Sequence, residues 1–388
     1  MSASLNRFLQ ARLAETRARN LYRRRRVVEG AHGVQARVDG ADLALFCSND
    51  YLGLATHPEL IAATAKAAQT QGVGSGASQL ITGHNQAHQA LENELADYVQ
   101  RDRALLLSSG YLANVGVISA LMGREDIIFS DALNHASLID GMRLSRAQIQ
   151  PYAHADLSAL QQALHDCSAQ HRLIVSDAVF SMDGDVADLP ALADLARDQD
   201  AWLMVDDAHG LGVMGPQGRG AVAAAGLDAQ SVPILTATLG KSLGAAGAFV
   251  AGSEDLIEAL IQSTRTFIFS TAMPPAVAEA ARVGLRLSRD EGWRRDKLFE
   301  LIEQFRAGAR SRGLPIGDSQ TAIQPLILGA EQRALEVSEK LLAQGFLVTA
   351  IRPPTVPAGT SRLRITLSAA HEPAQVQALL DALAKVLL

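Results

Sequence analysis

Trp202-Leu203-Met204-Val205-Asp206-Asp207-Ala208-His209-Gly210 is the stretch from which the architecture can be worked out. Four apolar residues in a row suit a strand buried on both faces, the kind found in parallel sheets covered by helices on each side. Such a strand delivers an acid, Asp206, and an imidazole, His209, to the carboxyl edge of its sheet, where open α/β sheets bind their ligands. Thr238-Leu239-Gly240-Lys241-Ser242-Leu243-Gly244 follows, with Lys241 among glycines just after another apolar run. Glycines there let backbone approach a ligand closely.

Working outward, short apolar runs alternate with helical patterns. Strands are predicted at Leu43–Phe46, Arg103–Leu107, Asp126–Phe129, Leu173–Ser176, Trp202–Val205, Ile234–Thr236 and Ala248–Val250. Helices are predicted at Asn6–Tyr22, Ala87–Val99 and Leu189–Asp198. The alternation implies an α/β fold with a mostly parallel sheet. After Met273-Pro274-Pro275 the character changes. One long helix is predicted over Ala276–Arg312, then strands at Ala322–Leu328, Leu347–Ala350 and Arg362–Leu367 around a helix at Gln332–Ala343. The expected organisation is an N-terminal helix and arm (1–45), a large domain (46–275) and a smaller C-terminal α/β domain (276–388).

Composition narrows the function. The 388 residues are 48% hydrophobic, 20% charged and only 4% aromatic, with net charge −6. That balance suits a folded globular chain and gives nucleic acid neither a basic field nor a stacking surface. The run Arg23–Arg26 is too small a patch to reverse this. No apolar run of membrane-spanning length and no apolar leader is present. Cys47 and Cys167 make no disulfide framework, so a reducing cytoplasm is expected. The Arg-rich, acid-poor stretch Arg7–Arg26 has the composition of a transit peptide, but no cleaved leader is expected there. Of 35 basic residues only Lys66, Lys241, Lys297, Lys340 and Lys385 are lysines, and the other four fall in predicted helices, which singles out Lys241.

An acid, a histidine and an isolated lysine at strand ends meet the needs of pyridoxal phosphate (PLP). The lysine condenses with its aldehyde, the acid keeps its pyridine nitrogen protonated, and the histidine bonds the acid or the ring hydroxyl. Ser108-Ser109-Gly110-Tyr111, between a strand and the helical Leu112–Met122, can offer N–H groups to a phosphate. Singly, Asp206 reads as a cap, His209 as a turn residue and Lys241 as a surface lysine; their order and contexts together favour a cofactor site. Three look-alikes fail. A Walker A loop ending at Lys241 needs Gly where Leu235 stands, and a dinucleotide fingerprint at Gly72–Gly76 lacks its preceding strand and its last glycine, at Ala77. His84, His88 and Glu92 share a helix face, but a zinc-protease motif needs Glu where Asn85 stands; a structural or capping role is expected, and no metal.

Eight motifs in order make the chain resemble the α-oxoamine synthase family of PLP enzymes. They are SNDYLGL from Ser48, GSGAS from Gly74, SSGYLAN from Ser108, NHAS from Asn134, FSMDGD from Phe180, VDDAHGLG from Val205, TLGKSLG from Thr238 and FSTAMPP from Phe269. The resemblance spans essentially the whole chain and implies the aspartate aminotransferase-like fold (fold type I). Within the family the chain is similar to the branch that condenses L-alanine with a pimeloyl thioester in biotin biosynthesis. The run Val348–Pro357, the segment Gln79-Leu80-Ile81 where sibling enzymes carry arginine, and the basic run Arg23–Arg26 carry that narrower likeness. A sibling acting on glycine or serine is the alternative, and the acyl carrier, coenzyme A or acyl carrier protein, stays open.

The resemblance implies these roles. Lys241 forms the Schiff base and acts as general base. Asp206 pairs with the pyridine nitrogen, His209 and Ser181 reach the ring hydroxyl, and His135 stacks on the ring and donates a proton. Gly110, Tyr111 and Thr238 hold the phosphate. Ser270 and Thr271 reach the phosphate of a neighbouring subunit, so a homodimer with shared sites is expected. Asn49 lies at the substrate mouth and Arg364 holds the amino-acid carboxylate. Arg23, or Arg24 one register away, and Thr355 contact the acyl substrate. Strand alternation sets Arg362 beside Arg364, and a surface salt bridge is expected for Arg362.

Overall fold

Seven short strands assemble around Trp202–Asp206 in the computed structural model, which describes residues 3–387. They are β1 (Arg103–Leu107), β2 (Ile127–Asp131), β3 (Gln148–Tyr152), β4 (Arg172–Asp177), β5 (Trp202–Asp206), β6 (Ile234–Thr238) and β7 (Ala248–Gly252). Their order across the sheet is β3-β2-β4-β5-β6-β7-β1. From β3 to β6 all neighbours are parallel, whereas β7 runs antiparallel to both β6 and β1. Leu173, Ile174 and Val175 of β4 and Leu203, Met204 and Val205 of β5 are fully buried, as strands covered on both faces must be. The fold is the expected α/β architecture with a mostly parallel sheet.

Sequence patterning misses β3. Its residues are Gln-Ile-Gln-Pro-Tyr, mostly exposed, at the sheet edge. An edge strand needs no apolar run and tolerates a proline. The helix expected over Ala276–Arg312 is two helices, Pro275–Asp290 and Trp293–Ser311. The break falls at Glu291-Gly292, where Glu291 leaves helical geometry (ψ 61°) and its carboxylate accepts from Arg294 Nε at 2.5 Å. The N-terminal helix runs Ala3–Ala18, and its apolar residues Phe8, Leu9 and Leu13 are exposed.

The chain divides into two compact units, and the division differs from the one expected. The larger comprises Asn49–Ser181 and Asp185–Lys297; the smaller comprises the residues up to Ser48, Met182–Gly184 and those from Leu298 onward. Residues 276–297 stay with the larger unit because Pro275–Asp290 packs on the helices Pro58–Gln71 and Gln86–Tyr98. Arg282 binds Glu94 at 2.6 Å, and Arg286 pairs with Glu59. The N-terminal residues join the smaller unit through long-range pairing. Ala41–Leu45 runs parallel to Phe346–Leu347, and Thr366 N donates to Phe46 O at 2.9 Å. In the smaller unit a second sheet sets Ser361–Thr366 between Ile323–Gly329 and Thr349–Ile351, both antiparallel to it. Among the described residues no helix is long and apolar enough to cross a membrane.

One close approach aims the Lys241 loop. A Cβ at Gly284 would overlap the Leu243 carbonyl oxygen, so this face of Pro275–Asp290 has room for glycine alone. Gly284→Ala is expected to destabilise the fold by about 1–3 kcal/mol, as overpacking does. Chemical denaturation followed by circular dichroism checks this; an unchanged midpoint would show that the loop has slack there.

Candidate active site

Asp206 ends β5 and is 7% exposed. A buried carboxylate must be given donors. Ala208 N supplies one at 3.0 Å and Asn114 Nδ2 another at 2.6 Å. Asn114 lies on the helix Gly110–Leu121, which starts just past β1. Its Oδ1 accepts from Thr236 Oγ1 of β6 at 2.9 Å, and its Nδ2 donates to Ser137 Oγ at 2.9 Å. One amide thus connects Asp206, β6 and the helix Ala136–Ser145. Asp177 stands opposite Asp206 in the sheet, at the end of β4. Burial first, and the Asp206 charge second, push its pKa well above the ordinary carboxylate value. It accepts the His135 backbone N–H at 2.6 Å.

His135 caps Ala136–Ser145, with Nδ1 2.7 Å from Ser137 Oγ. Burial lowers its pKa, the Asp206 charge opposes that, and the Lys241 charge lowers it further. Lys241 Nζ lies 2.9 Å from His209 Nε2, whose Nδ1 is 2.7 Å from the Tyr51 hydroxyl. Tyr51 in turn donates to Asn49 Oδ1 at 3.2 Å. Asn49, Tyr51, His209 and Lys241 therefore form one hydrogen-bonded line.

The loop that presents His209 is built on Asp207. Its Oδ2 accepts Val222 N at 3.3 Å, and a Cβ at Gly210 or Gly220 would overlap its carboxylate. Burial raises Asp207 to about 7, against the hydrogen bonds that oppose it.

The residues present fit PLP. Lys241 offers the amine and Asp206 the buried carboxylate. Gly110 and Tyr111 are the first residues of a 12-residue helix, where N–H groups lack intrahelical acceptors. A Cβ at Gly110 would lie 3.8 Å from Thr238 Cβ, so the helix start and the end of β6 line one cradle. Ser181 is half-buried in the larger unit, where the chain passes into Met182–Gly184. Ser270 and Thr271 lie on a strip bridged to Ser78, beside the exposed Phe269.

The remaining candidates belong to the smaller unit. Arg23 Nη2 is 3.5 Å from Thr355 Oγ1, so Arg23 rather than Arg24 faces Thr355. Arg352 holds this strand of chain by donating to Asn20 O and Tyr22 O. Arg364 is buried in the central strand, where its charge offsets part of the burial that pushes the Cys47 thiol up. Arg362 corrects an expectation: it pairs with the half-buried Asp183, but Arg362 itself is buried, because the strand is covered on both faces. His88 proves to be a cap. Its Nδ1 accepts from Asn85 N at 3.1 Å and its Nε2 lies 2.8 Å from Met273 O, while Glu92 accepts Leu106 N at 2.9 Å.

Sequence reasoning missed Asn114, Ser137, Tyr51 and Asp177. Three of them lie inside quoted motifs. Asp177 was open to the strand-end argument that found Asp206.

Residues 41–383 match the family described as aminotransferase class I and II. The 8-amino-7-oxononanoate synthase of Methylococcus capsulatus is 58% identical over 372 residues, covering 96% of each chain. Among solved structures, a serine palmitoyltransferase from S. paucimobilis with bound PLP and myriocin superposes with a TM-score of 0.92 at 30% identity, covering 97% of this chain and 96% of its own. The 8-amino-7-oxononanoate synthase of Francisella tularensis superposes at 0.78 with 30% identity, covering 88% and 97%. The chain belongs to the class I and II aminotransferase family and, within it, to the α-oxoamine synthases, most similar to the 8-amino-7-oxononanoate synthases. It is a PLP-dependent acyltransferase.

The Asp207 carboxyl sets a pH dependence. Raised from 3.8 to about 7, it binds its proton more tightly folded than unfolded. Its contribution is fully present below about pH 4 and is lost as pH rises through about 7. Asp207→Asn is expected to flatten the fall in denaturation midpoint between pH 5 and pH 8. Glu92, also raised to about 7, keeps part of the slope. Equal slopes in both proteins would refute the assignment.

Proposed function

We propose that the protein catalyses decarboxylative condensation of L-alanine with a pimeloyl thioester, giving 8-amino-7-oxononanoate, CO2 and free thiol. The reading rests on near-full-length identity to 8-amino-7-oxononanoate synthases, 58% over 372 residues. PLP supplies an aldehyde for the amine and an electron sink for the charge that develops at the substrate Cα.

The protein's own groups then have these proposed tasks. Lys241 Nζ takes the Cα proton, which requires the amine in its neutral form. The line through His209 and Tyr51 holds Lys241 and gives its proton a neighbour. Asp206 keeps the pyridine nitrogen protonated, and Ser181 and His209 bond the ring hydroxyl. His135 stacks on the ring and returns a proton from Nε2. Gly110, Tyr111 and Thr238 bind the phosphate. Arg364 binds the alanine carboxylate, Asn49 lines the mouth, and Arg23 with Thr355 receives the far end of the pimeloyl chain. Ser270 and Thr271 complete the phosphate site of a second copy, so the working form is a homodimer. The proposed setting is the cytoplasm. The acyl carrier is coenzyme A or an acyl carrier protein.

Turnover of purified protein with pimeloyl thioester tests this. CO2 and thiol should appear one to one with L-alanine, and kcat/KM should fall about 10–200-fold for glycine, which lacks one methyl group. Lys241→Ala should lower kcat by about 10^2–10^4-fold, the range for a lost acid–base group. Preference for glycine or serine would reassign the enzyme to a sibling reaction.

A further inference from the structure

Asn114 is a buried amide on a helix whose other buried residues are Ala113, Val115, Gly116, Val117 and Ile118. A polar group in that setting is costly unless its hydrogen bonds are made. Which way the amide faces follows from its partners. A carboxylate can only accept, so the nitrogen faces Asp206 Oδ2 at 2.6 Å. The oxygen then takes the Thr236 hydroxyl at 2.9 Å, and the second N–H goes to Ser137 Oγ at 2.9 Å. Ser137 Oγ, already accepting, turns its own proton to His135 Nδ1, 2.7 Å away. The Ser137 backbone N–H, which can only donate, also points at Nδ1, at 3.3 Å. His135 Nδ1 is therefore an acceptor, and the ring proton sits on Nε2.

We infer that Asn114 is a positioning residue: through the Ser137 hydroxyl it ties the Asp206 carboxylate to the His135 ring and holds that ring as the Nε2–H tautomer. The inference rests on the roles proposed above for Asp206 and His135. One rigid amide orients two groups of the site, the acid under the pyridine nitrogen and the imidazole over the ring. The burial of His135, which disfavours its charged form, works in the same direction. Three charged or titratable groups face this histidine: Asp206 from β5, Asp177 from β4 through the His135 backbone N–H, and Lys241 from the loop after β6.

The test uses holoenzyme labelled with 15N-histidine, as wild type, Ser137→Ala and Asn114→Ala. The His135 ring in the wild type should show the neutral Nε2–H pattern. Ser137→Ala, a near-isosteric change, removes the 2.7 Å hydroxyl donor and leaves only the longer 3.3 Å backbone contact, so the ring should populate both neutral tautomers and titrate closer to the ordinary value of about 6.5. Its kcat should fall about tenfold, less than the 10^2–10^4-fold cost of a lost acid–base group, with KM for L-alanine little changed. Asn114→Ala should disturb the His135 ring and also shift the visible absorbance of the bound cofactor, because Asp206 loses a donor. A Ser137→Ala enzyme with wild-type tautomer and titration would overturn the inference. So would an Asn114→Ala enzyme whose cofactor absorbance moves while His135 stays as in wild type. Should Asn114→Ala fail to fold, Ser137→Ala decides alone. The ring spectrum does not depend on which amino acid is the substrate, so failure here is separable from failure of the proposed reaction.

Discussion

A carboxylate at the end of a strand buried on both faces has to be solvated by the protein itself. Asp206 is in that position, and the bond from Asn114 answers it. The consequence reaches beyond the acid. Asn114 lies one turn into the helix Gly110–Leu121, and its oxygen is taken by Thr236 of β6. A helix pinned at that point cannot rotate about its axis, so its first-turn N–H groups at Gly110 and Tyr111 keep a fixed direction. The group proposed to meet the pyridine nitrogen and the groups proposed to meet the phosphate are thereby set at a fixed spacing by one buried amide. Preorganisation of this kind places dipoles before any charge develops.

The Lys241 loop is fixed by different means. Gly284 lets the helix Pro275–Asp290 come against the Leu243 carbonyl, and Gly244, at φ +67°, turns where a Cβ would overlap the backbone of Leu54 and Ala55. Close approaches at two glycines thus confine the loop from two sides. The lysine side chain is left to reach His209, and the same Leu54 segment carries Asn49 and Tyr51, which complete that line.

The sequence discloses what is local and hides what is long-range. β4 and β5 are legible because strands covered on both faces must be apolar throughout. Asp206, His209 and Lys241 are legible because strand ends and glycines mark them. β3 is hidden because its edge position relieves it of that requirement. Asn114 is hidden because its partners lie 92 and 122 residues away, in strands whose neighbours only the fold decides. The division into units is hidden for the same reason: the pairing of Ala41–Leu45 with Phe346–Leu347 joins the two ends of the chain, and no local pattern announces it. The helix break at Gly292 was within reach, since a glycine interrupts an otherwise continuous periodicity.

The two histidines of the site are held in opposite tautomers, and the reason is visible in their partners. The Ser137 hydroxyl, oriented by Asn114, is the shorter donor to His135 Nδ1 and the backbone N–H the longer one, which leaves the proton on Nε2. At His209 the polarity reverses. Tyr51 gives its hydroxyl proton to Asn49, so its oxygen accepts from His209 Nδ1, and the Nε2 lone pair faces Lys241 Nζ. One imidazole is set to give a proton from Nε2 and the other to receive one there. The proposed reaction, which first removes a proton and later returns one, would use both kinds of group, and hydrogen bonds made before substrate arrives set each polarity. Neither assignment depends on pKa alone. Each follows from hydrogen bonds: the Ser137 hydroxyl held by Asn114, with a backbone N–H beside it, donates to His135, and the Tyr51 proton is directed to the Asn49 carboxamide oxygen.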